Sequence, residues 1–196
     1  MPRFVHYIDD ATSNWGRVDG DHVQPLSTAP WNGDVAEAGP TVPLEGLTLL
    51  APATPTKVLC VGRNYRAHAA ELGHAVPDEP LLFLKPPSAV IGEGAAIVYP
   101  TGQTELVHHE GELGVVIGKN AKYVSQDDAL GHVAGYCVVN DLSERDFQLH
   151  RSGQWVKGKS CDTFGPIGPW LVTRDEVADP QNLPMYLEVN GHRFQD

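Results

Sequence analysis

Two hydrophobic patterns divide the chain. Up to about residue 50, short apolar groups alternate with turn residues; beyond Lys57 the apolar runs are longer and more continuous. FVHYI, GRVDGDHVQPL and VPLEGLTLL predict short strands, with Asp19-Gly20 as a hairpin turn. Thr28 to Pro43, rich in Ala, Gly, Pro and acid, predicts a surface loop. PATPTK, residues 52–57, reads as a linker, since two close prolines suit neither a helix nor a central strand. The pattern thus predicts a small N-terminal β lobe over 1–52 and a larger domain over 57–196.

In the second part, KVLCVG is an apolar run ending in Gly and predicts a buried strand. NYRAHAAELG predicts one short helix, capped by Asn64 and ended by Gly73. LLFLKPPSAVIG predicts strand, turn and strand, and ELGVVIGKN a further strand. QDDALGHVAGYC starts as a helix capped by Ser125 and runs into the strand GYCVVND. LSERDFQLHRSG predicts a helix, and GPIGPWLVT and NLPMYLEVNGHRFQD predict strands, the latter with an Asn190-Gly191 hairpin turn. Strands outnumber helices, which predicts a β-rich α+β fold rather than a doubly wound parallel sheet.

Composition narrows the class. Glycine and proline number 20 and 16, which disfavours long helices. The net charge of −11 argues against a nucleic-acid partner, because such binding rests on neutralising phosphates. No apolar run is long enough for a membrane span, and the start MPRFVHYIDDATSNW lacks a signal-peptide pattern. Cys60, Cys137 and Cys161 are far apart, without metal-type spacing, so a reduced, cytoplasmic protein is expected.

Four segments carry candidate chemistry. In HHEGELGVVIGK, Glu110 and Glu112 are two apart, so in a strand both carboxylates face one side. Two such charges repel, and one protonates unless a cation sits between them. The alternative is a solvated edge strand, but Leu113, Val115, Val116 and Ile117 carry this strand into a core. Asp141 ends the strand GYCVVN; it either caps the following helix or completes an all-oxygen set with the glutamates. Such a set suits Mg²⁺, Mn²⁺ or Ca²⁺ rather than Zn²⁺. Arg145 and Gln148, four and seven residues beyond Asp141, share a helical stripe fit for an anionic ligand; the alternative for Arg145 is a surface pair with Glu144 or Asp146. His68 and Glu71 are neighbours on a helix face, the arrangement of an oriented general base, though such pairs also occur on exposed helices. Lys157 and Lys159 flank Gly158 ahead of DTFGPIGP, an irregular loop in which a lysine either steadies an oxyanion or lies in solvent.

In order, VGRNYRAHAAELG, PLLFLKPPSAVIG, HHEGELGVVIGK, GYCVVNDLSERDFQ, KGKSCDTFGPIGPW and LEVNG resemble the fumarylacetoacetate hydrolase family over residues 57–191. The resemblance implies mixed sheets rolled around a metal site, a small N-terminal lobe of the kind many bacterial members carry, and a homodimer. It implies that Glu110, Glu112 and Asp141 hold a divalent cation, usually Mg²⁺, that His68 and Glu71 are the catalytic dyad, and that Lys159 is the active-site lysine. Arg145 and Gln148 match substrate-touching positions, and Lys85 of FLKP is a neighbour of the site. Val61 stands where the eukaryotic enzymes have a further aspartate ligand, which places the sequence nearer the acylpyruvase and hydroxyheptadienedioate isomerase branch. The family's further C-terminal segment is expected to be missing after Asp196. The expected activity is metal-dependent hydrolytic C–C cleavage of an acylpyruvate- or fumarylpyruvate-type 2,4-dioxo acid. The alternatives are isomerisation or decarboxylation of hydroxyheptadienedioate or oxaloacetate-like acids, or metal and carboxylate binding without catalysis.

Overall fold

The structure, a computed structural model, describes residues 2–71, 73–151 and 153–196, with His68 described for its backbone only. The described strands are β1 (Arg3–Asp9), β2 (Thr12–Asp19), β3 (His22–Leu26), β4 (Val42–Pro43), β5 (Thr48–Leu50), β6 (Val58–Gly62), β7 (Leu81–Lys85) and β8 (Val90–Ile91). They continue with β9 (Val107–His108), β10 (Gly111–Ile117), β11 (Val133–Asn140), β12 (Ser143–Glu144), β13 (Gly165–Thr173), β14 (Leu187–Val189) and β15 (His192–Gln195). The α-helices are short: α1 (Arg66–Glu71), α2 (Gln126–Ala129) and α3 (Trp155–Lys159). The β-rich α+β class expected from the hydrophobic pattern is the observed one.

One nine-stranded sheet crosses both parts of the chain. Its order is β10-β11-β13-β1-β2-β3-β4, with β5 also paired to β1 and β8 to β13. The β8–β13 pairing is parallel and the others in the sheet are antiparallel. Alternation in FVHYI places Val5 and Tyr7 on the same face, where they form a buried cluster with Val18 and Val23. Leu44, Leu47, Leu49 and Trp170 pack against it.

Several local expectations are met. Ser125 Oγ accepts from the Asp128 amide and caps α2. Past α1, the Gly73 and His74 amides donate to Ala70 and Ala69 carbonyls, with Gly73 at φ 69°. Asn190 and Gly191 both take positive φ between β14 and β15.

Others are corrected. The β2–β3 turn is centred on Gly20-Asp21, one residue later than expected. The KVLCVG segment forms β6, but it pairs only with β7, and Leu59, Val61, Leu82 and Leu84 stay exposed on one face of that ribbon. The apolar run set its strand character but not the covering of both faces. The described residues of 142–153 are not one helix: Ser143 and Glu144 pair with β9, and among them Asp146–Arg151 forms a wide, π-type helical turn. The start of that turn is held by the buried Glu144 carboxylate, which accepts from the Asp146 and Phe147 amides, so Asp141 is not its cap. The KGK segment is part of α3 rather than an irregular loop.

Candidate functional site

The antiparallel register of β10 and β11 builds the site. Glu112 pairs with Val139, and Gly111 with Asn140, so the start of one strand meets the end of the other. Glu110 lies one residue outside β10 but follows its course, donating its amide to Asn140 Oδ1 while its carbonyl accepts from the Asp141 amide at 2.8 Å. Period-two alternation then turns both glutamates toward Asp141. One carboxylate oxygen from each of Glu110, Glu112 and Asp141 lies within 4.8 Å of the others. An ion with oxygen ligands at about 2.1–2.4 Å holds those oxygens within about 4–5 Å of one another.

Cations surround the carboxylates. Lys159 Nζ donates to Glu110 Oε2 at 2.6 Å and to Asp141 Oδ2 at 2.5 Å. Lys85 Nζ donates to Asp141 Oδ1 at 2.7 Å and to the Leu142 carbonyl at 3.1 Å. Asp141, Lys85 and Lys159 are 1%, 2% and 2% exposed. Arg145 pairs with Glu110 and donates to Gln148 Oε1 at 2.6 Å. The stripe that groups Arg145 with Gln148 therefore holds as a contact, although Arg145 precedes the helical turn. Arg145 is engaged with Glu110 instead of Glu144 or Asp146, and Glu144 is itself fully buried.

These charges separate the two glutamates. Burial alone would raise the Glu110 carboxyl, but Lys159 and Arg145 together bring it below the ordinary range. Glu112 has no hydrogen-bonded cation among the described residues: burial, with the charges of Asp141 and Glu110 adding to it, outweighs Lys159 and Lys85 and pushes its carboxyl up to about 8. Burial lowers the Lys85 ammonium, with Asp141 opposing that shift. Glu112 is thus where one further positive charge is most favourable.

Two placements depend on features that sequence reading missed or misread. Gly158 lets α3 close on the Asp146–Arg151 turn: a Cβ there would sit 2.5 Å from the Glu144 carbonyl oxygen and 2.7 Å from Gln148 Cβ. In the sequence the available signal was a glycine with a lysine on either side. Tyr65 ties the start of α1 to the site, its hydroxyl accepting from the Leu113 amide at 2.9 Å. Glu71 is the last residue of α1, exposed at the surface. The His68 side chain lies outside the described residues, so the expected dyad is placed by its helix alone. Ser160 Oγ, next after Lys159, is buried without a hydrogen-bond partner among the described residues.

Comparison with known proteins follows the same segments. Residues 57–196 match the family described as fumarylacetoacetate (FAA) hydrolase, C-terminal. The chain belongs to the fumarylacetoacetate hydrolase family. Residues 3–52 match a second family, described as Rv2993c-like, N-terminal. A protein of Burkholderia ambifaria, to which its name ascribes an unspecified hydrolase activity, is 56% identical over 140 residues, 71% of this chain and 49% of that protein. The chain thus spans about half the length of the curated relatives it matches. The 2-hydroxyhepta-2,4-diene-1,7-dioate isomerase of Mycobacterium marinum superposes with a TM-score of 0.86 at 35% identity, covering 100% of this chain and 74% of that one. A maleylpyruvate hydrolase of Sphingobium sp. SYK-6, solved with manganese(II) and pyruvate, superposes at 0.68 and 28% identity, covering 91% and 69%. Solved members of this fold are thus named as both hydrolases and isomerases. Among the described residues, no helix is long and apolar enough to cross a membrane.

Proposed function

We propose that this chain carries the active site of a divalent-metal-dependent enzyme that hydrolyses a C–C bond in a 2,4-dioxo acid of the acylpyruvate or fumarylpyruvate type. One observation carries the reading: three carboxylates from two strand ends converge within 4.8 Å, with buried Lys159 against two of them. The donor set fits a hard cation. It is all oxygen, it is partly buried, and burial beside two other carboxylates raises the Glu112 carboxyl, which a further positive charge would offset. Mg²⁺ is the assigned ion, with Mn²⁺ and Ca²⁺ suited to the same ligands. The manganese and pyruvate held by the Sphingobium relative support both the ion class and a 2-oxo acid ligand.

When bound, the cation supplies Lewis-acid charge for the oxygens of a 2-oxo acid. Arg145 and Gln148 orient the substrate carboxylate, and Lys85 keeps Asp141 in place beside it. His68, oriented by Glu71, takes a proton from water at its imidazole nitrogen. The water oxygen bonds to the C4 carbonyl carbon, and the Lys159 ammonium steadies the oxyanion. The C3–C4 bond then breaks, its electron pair passing to C3. The imidazolium returns its proton to C3, giving a 2-oxo acid and a carboxylic acid.

A second reading is isomerisation, or decarboxylation of an oxaloacetate-like acid, by the same enolate chemistry without water attack. The isomerase relative, which covers the whole chain, favours it. In either reading, residues 1–52 form the N-terminal lobe, 57–196 the catalytic domain, and the working form is a cytoplasmic homodimer. The test is a parallel assay of acylpyruvate, fumarylpyruvate, hydroxyheptadienedioate and oxaloacetate with Mg²⁺. Release of pyruvate from acylpyruvate supports hydrolysis. Conversion of hydroxyheptadienedioate alone supports isomerisation. Retained metal binding with no turnover of any of the four makes the chain a binder and overturns the proposal.

A further inference from the structure

Among the described residues, β10 is the end strand of the nine-stranded sheet, with β11 on one side and no strand on the other. An open edge leaves backbone amides and carbonyls without ladder partners. Alternate residues of an antiparallel strand direct these groups to the same edge. At Gly111 and Leu113, the two residues that flank Glu112, side chains take the place of the absent strand. The Gly111 amide donates to Gln195 Oε1 at 3.0 Å, and its carbonyl accepts from Gln195 Nε2 at 2.6 Å. The Leu113 amide donates to the Tyr65 hydroxyl at 2.9 Å. A carboxamide offers one acceptor and a donor side by side, so Gln195 meets Gly111 much as a strand residue would.

Gln195 reaches Gly111 from 84 residues further along the chain, and its hairpin seats it there. Leu187 stands opposite Gln195 in the β14–β15 register and packs on Gly111, its Cδ1 3.4 Å from where a Cβ would be. Phe194 lies edge-on to His109, ring centroids 5.0 Å apart. The β14–β15 pair is a sheet of its own, and it meets β10 through these side chains rather than through a backbone ladder. Contacts from one hairpin thus fall on both neighbours of Glu110.

The stretch from Glu110 to Leu113 is therefore held from two sides. On the inner side Glu110 is bonded to Asn140 and Asp141, and on the outer side Gln195 and Tyr65 hold Gly111 and Leu113. Both glutamate carboxylates hang from this stretch. Neither Gln195 nor Tyr65 is charged or bonds a carboxylate of the cluster, so each acts on the site through backbone geometry alone. Geometry separates the candidate ions: Mg²⁺ demands a near-ideal octahedron at about 2.0–2.1 Å, whereas Ca²⁺ accepts looser shells at about 2.3–2.6 Å.

We infer that Gln195 and Tyr65 are positioning residues that fix the Glu110–Glu112 stretch of β10 and so set the preference of the centre for Mg²⁺ over Ca²⁺. The inference rests on the metal-centre reading above. Calorimetric titration of each ion into the metal-free chain tests it, with urea unfolding to establish that each variant is folded. Gln195→Ala should weaken Mg²⁺ by about tenfold, the usual effect of removing a group behind a metal ligand. It should weaken Ca²⁺ by no more than about threefold, because the looser shell follows the displaced backbone. Tyr65→Phe, which removes one oxygen and keeps the ring, should move the ratio the same way by a smaller factor. A merely structural role would lower both affinities alike or neither. An Mg²⁺-to-Ca²⁺ affinity ratio at the parent value in folded Gln195→Ala overturns the inference and leaves the metal centre standing. If that variant does not fold, the same ratio in Tyr65→Phe decides. A parent chain that binds neither ion overturns the metal centre and the inference together.

Discussion

At one end of the β10–β11 pair, buried charge is gathered and matched. Asp141 accepts from two lysines, Glu110 is held by a lysine and an arginine, and Glu144 receives two amides. At the other end, His132 Nδ1 and Thr173 Oγ1 are buried with no hydrogen-bond partner among the described residues. The difference lies in what each end can tolerate. A buried carboxylate or ammonium without a partner costs several kcal/mol, so the charged end must be closed by its own side chains. A hydroxyl or a ring nitrogen costs less, so the neutral end can leave two unsatisfied. Even the charged end retains Glu112, which has no hydrogen-bonded cation among the described residues and whose carboxyl burial, with Asp141 and Glu110, pushes up to about 8 against the opposing charges of Lys159 and Lys85. That residual demand is for a metal ion, whereas the demand at the far end is for hydrogen bonds.

The largest expected effect comes from breaking the matched end. Among the described residues, Asp141→Ala leaves the Lys85 ammonium the Leu142 carbonyl, and the Lys159 ammonium Glu110 and the face of Phe83. Loss of one member of a buried ion network costs about 3–5 kcal/mol. Urea unfolding of the metal-free chain should show that loss, and an unchanged midpoint would mean the lysines are not held by Asp141. His68→Ala, by contrast, should spare stability and metal affinity while turnover falls by about 10²–10⁴, the worth of a positioned general base. Steady-state kinetics at saturating metal checks this; parent-rate turnover would remove His68 from the dyad.

Gly158→Ala acts between these extremes. Its methyl group would meet Glu144 and Gln148, so α3 must shift, at a cost of about 1–3 kcal/mol. Because Lys159 follows directly, activity should fall further than stability alone explains, read as a drop in kcat for a fully folded variant. The smallest effect belongs to the unmatched end. Thr173→Val removes a hydroxyl that has no partner among the described residues, so stability should stay within about 1 kcal/mol of the parent, or rise. A loss of 2 kcal/mol or more in urea unfolding would show that the hydroxyl is bonded after all.

How much of this was legible in the sequence depended on how local the cause was. The convergence of Glu110 and Glu112 follows from strand alternation, and Asp141 from its place at a strand end, so the carboxylate cluster could be read directly. Lys85 was named only as a neighbour, because its grip on Asp141 joins residues 56 apart in sequence. The Ser143–Glu144 strand was hidden inside a helix-like stretch, since its pairing with Val107 and His108 is non-local. The apolar run of β6 showed a strand but not that Leu59 and Val61 face outward. Nothing in the spacing of His132 and Thr173 indicates that the two meet at one cavity; only the antiparallel return of β11 and β13 does that.

The central claim is a divalent-cation centre made by Glu110, Glu112 and Asp141, and calorimetric titration of Mg²⁺ and Mn²⁺ into the metal-free chain tests it most directly. The prediction is one ion per chain, with affinity lowered at least tenfold by Glu112→Ala and left at the parent value by Thr173→Val. Binding that Glu112→Ala does not weaken, or no saturable binding by either ion, would contradict it.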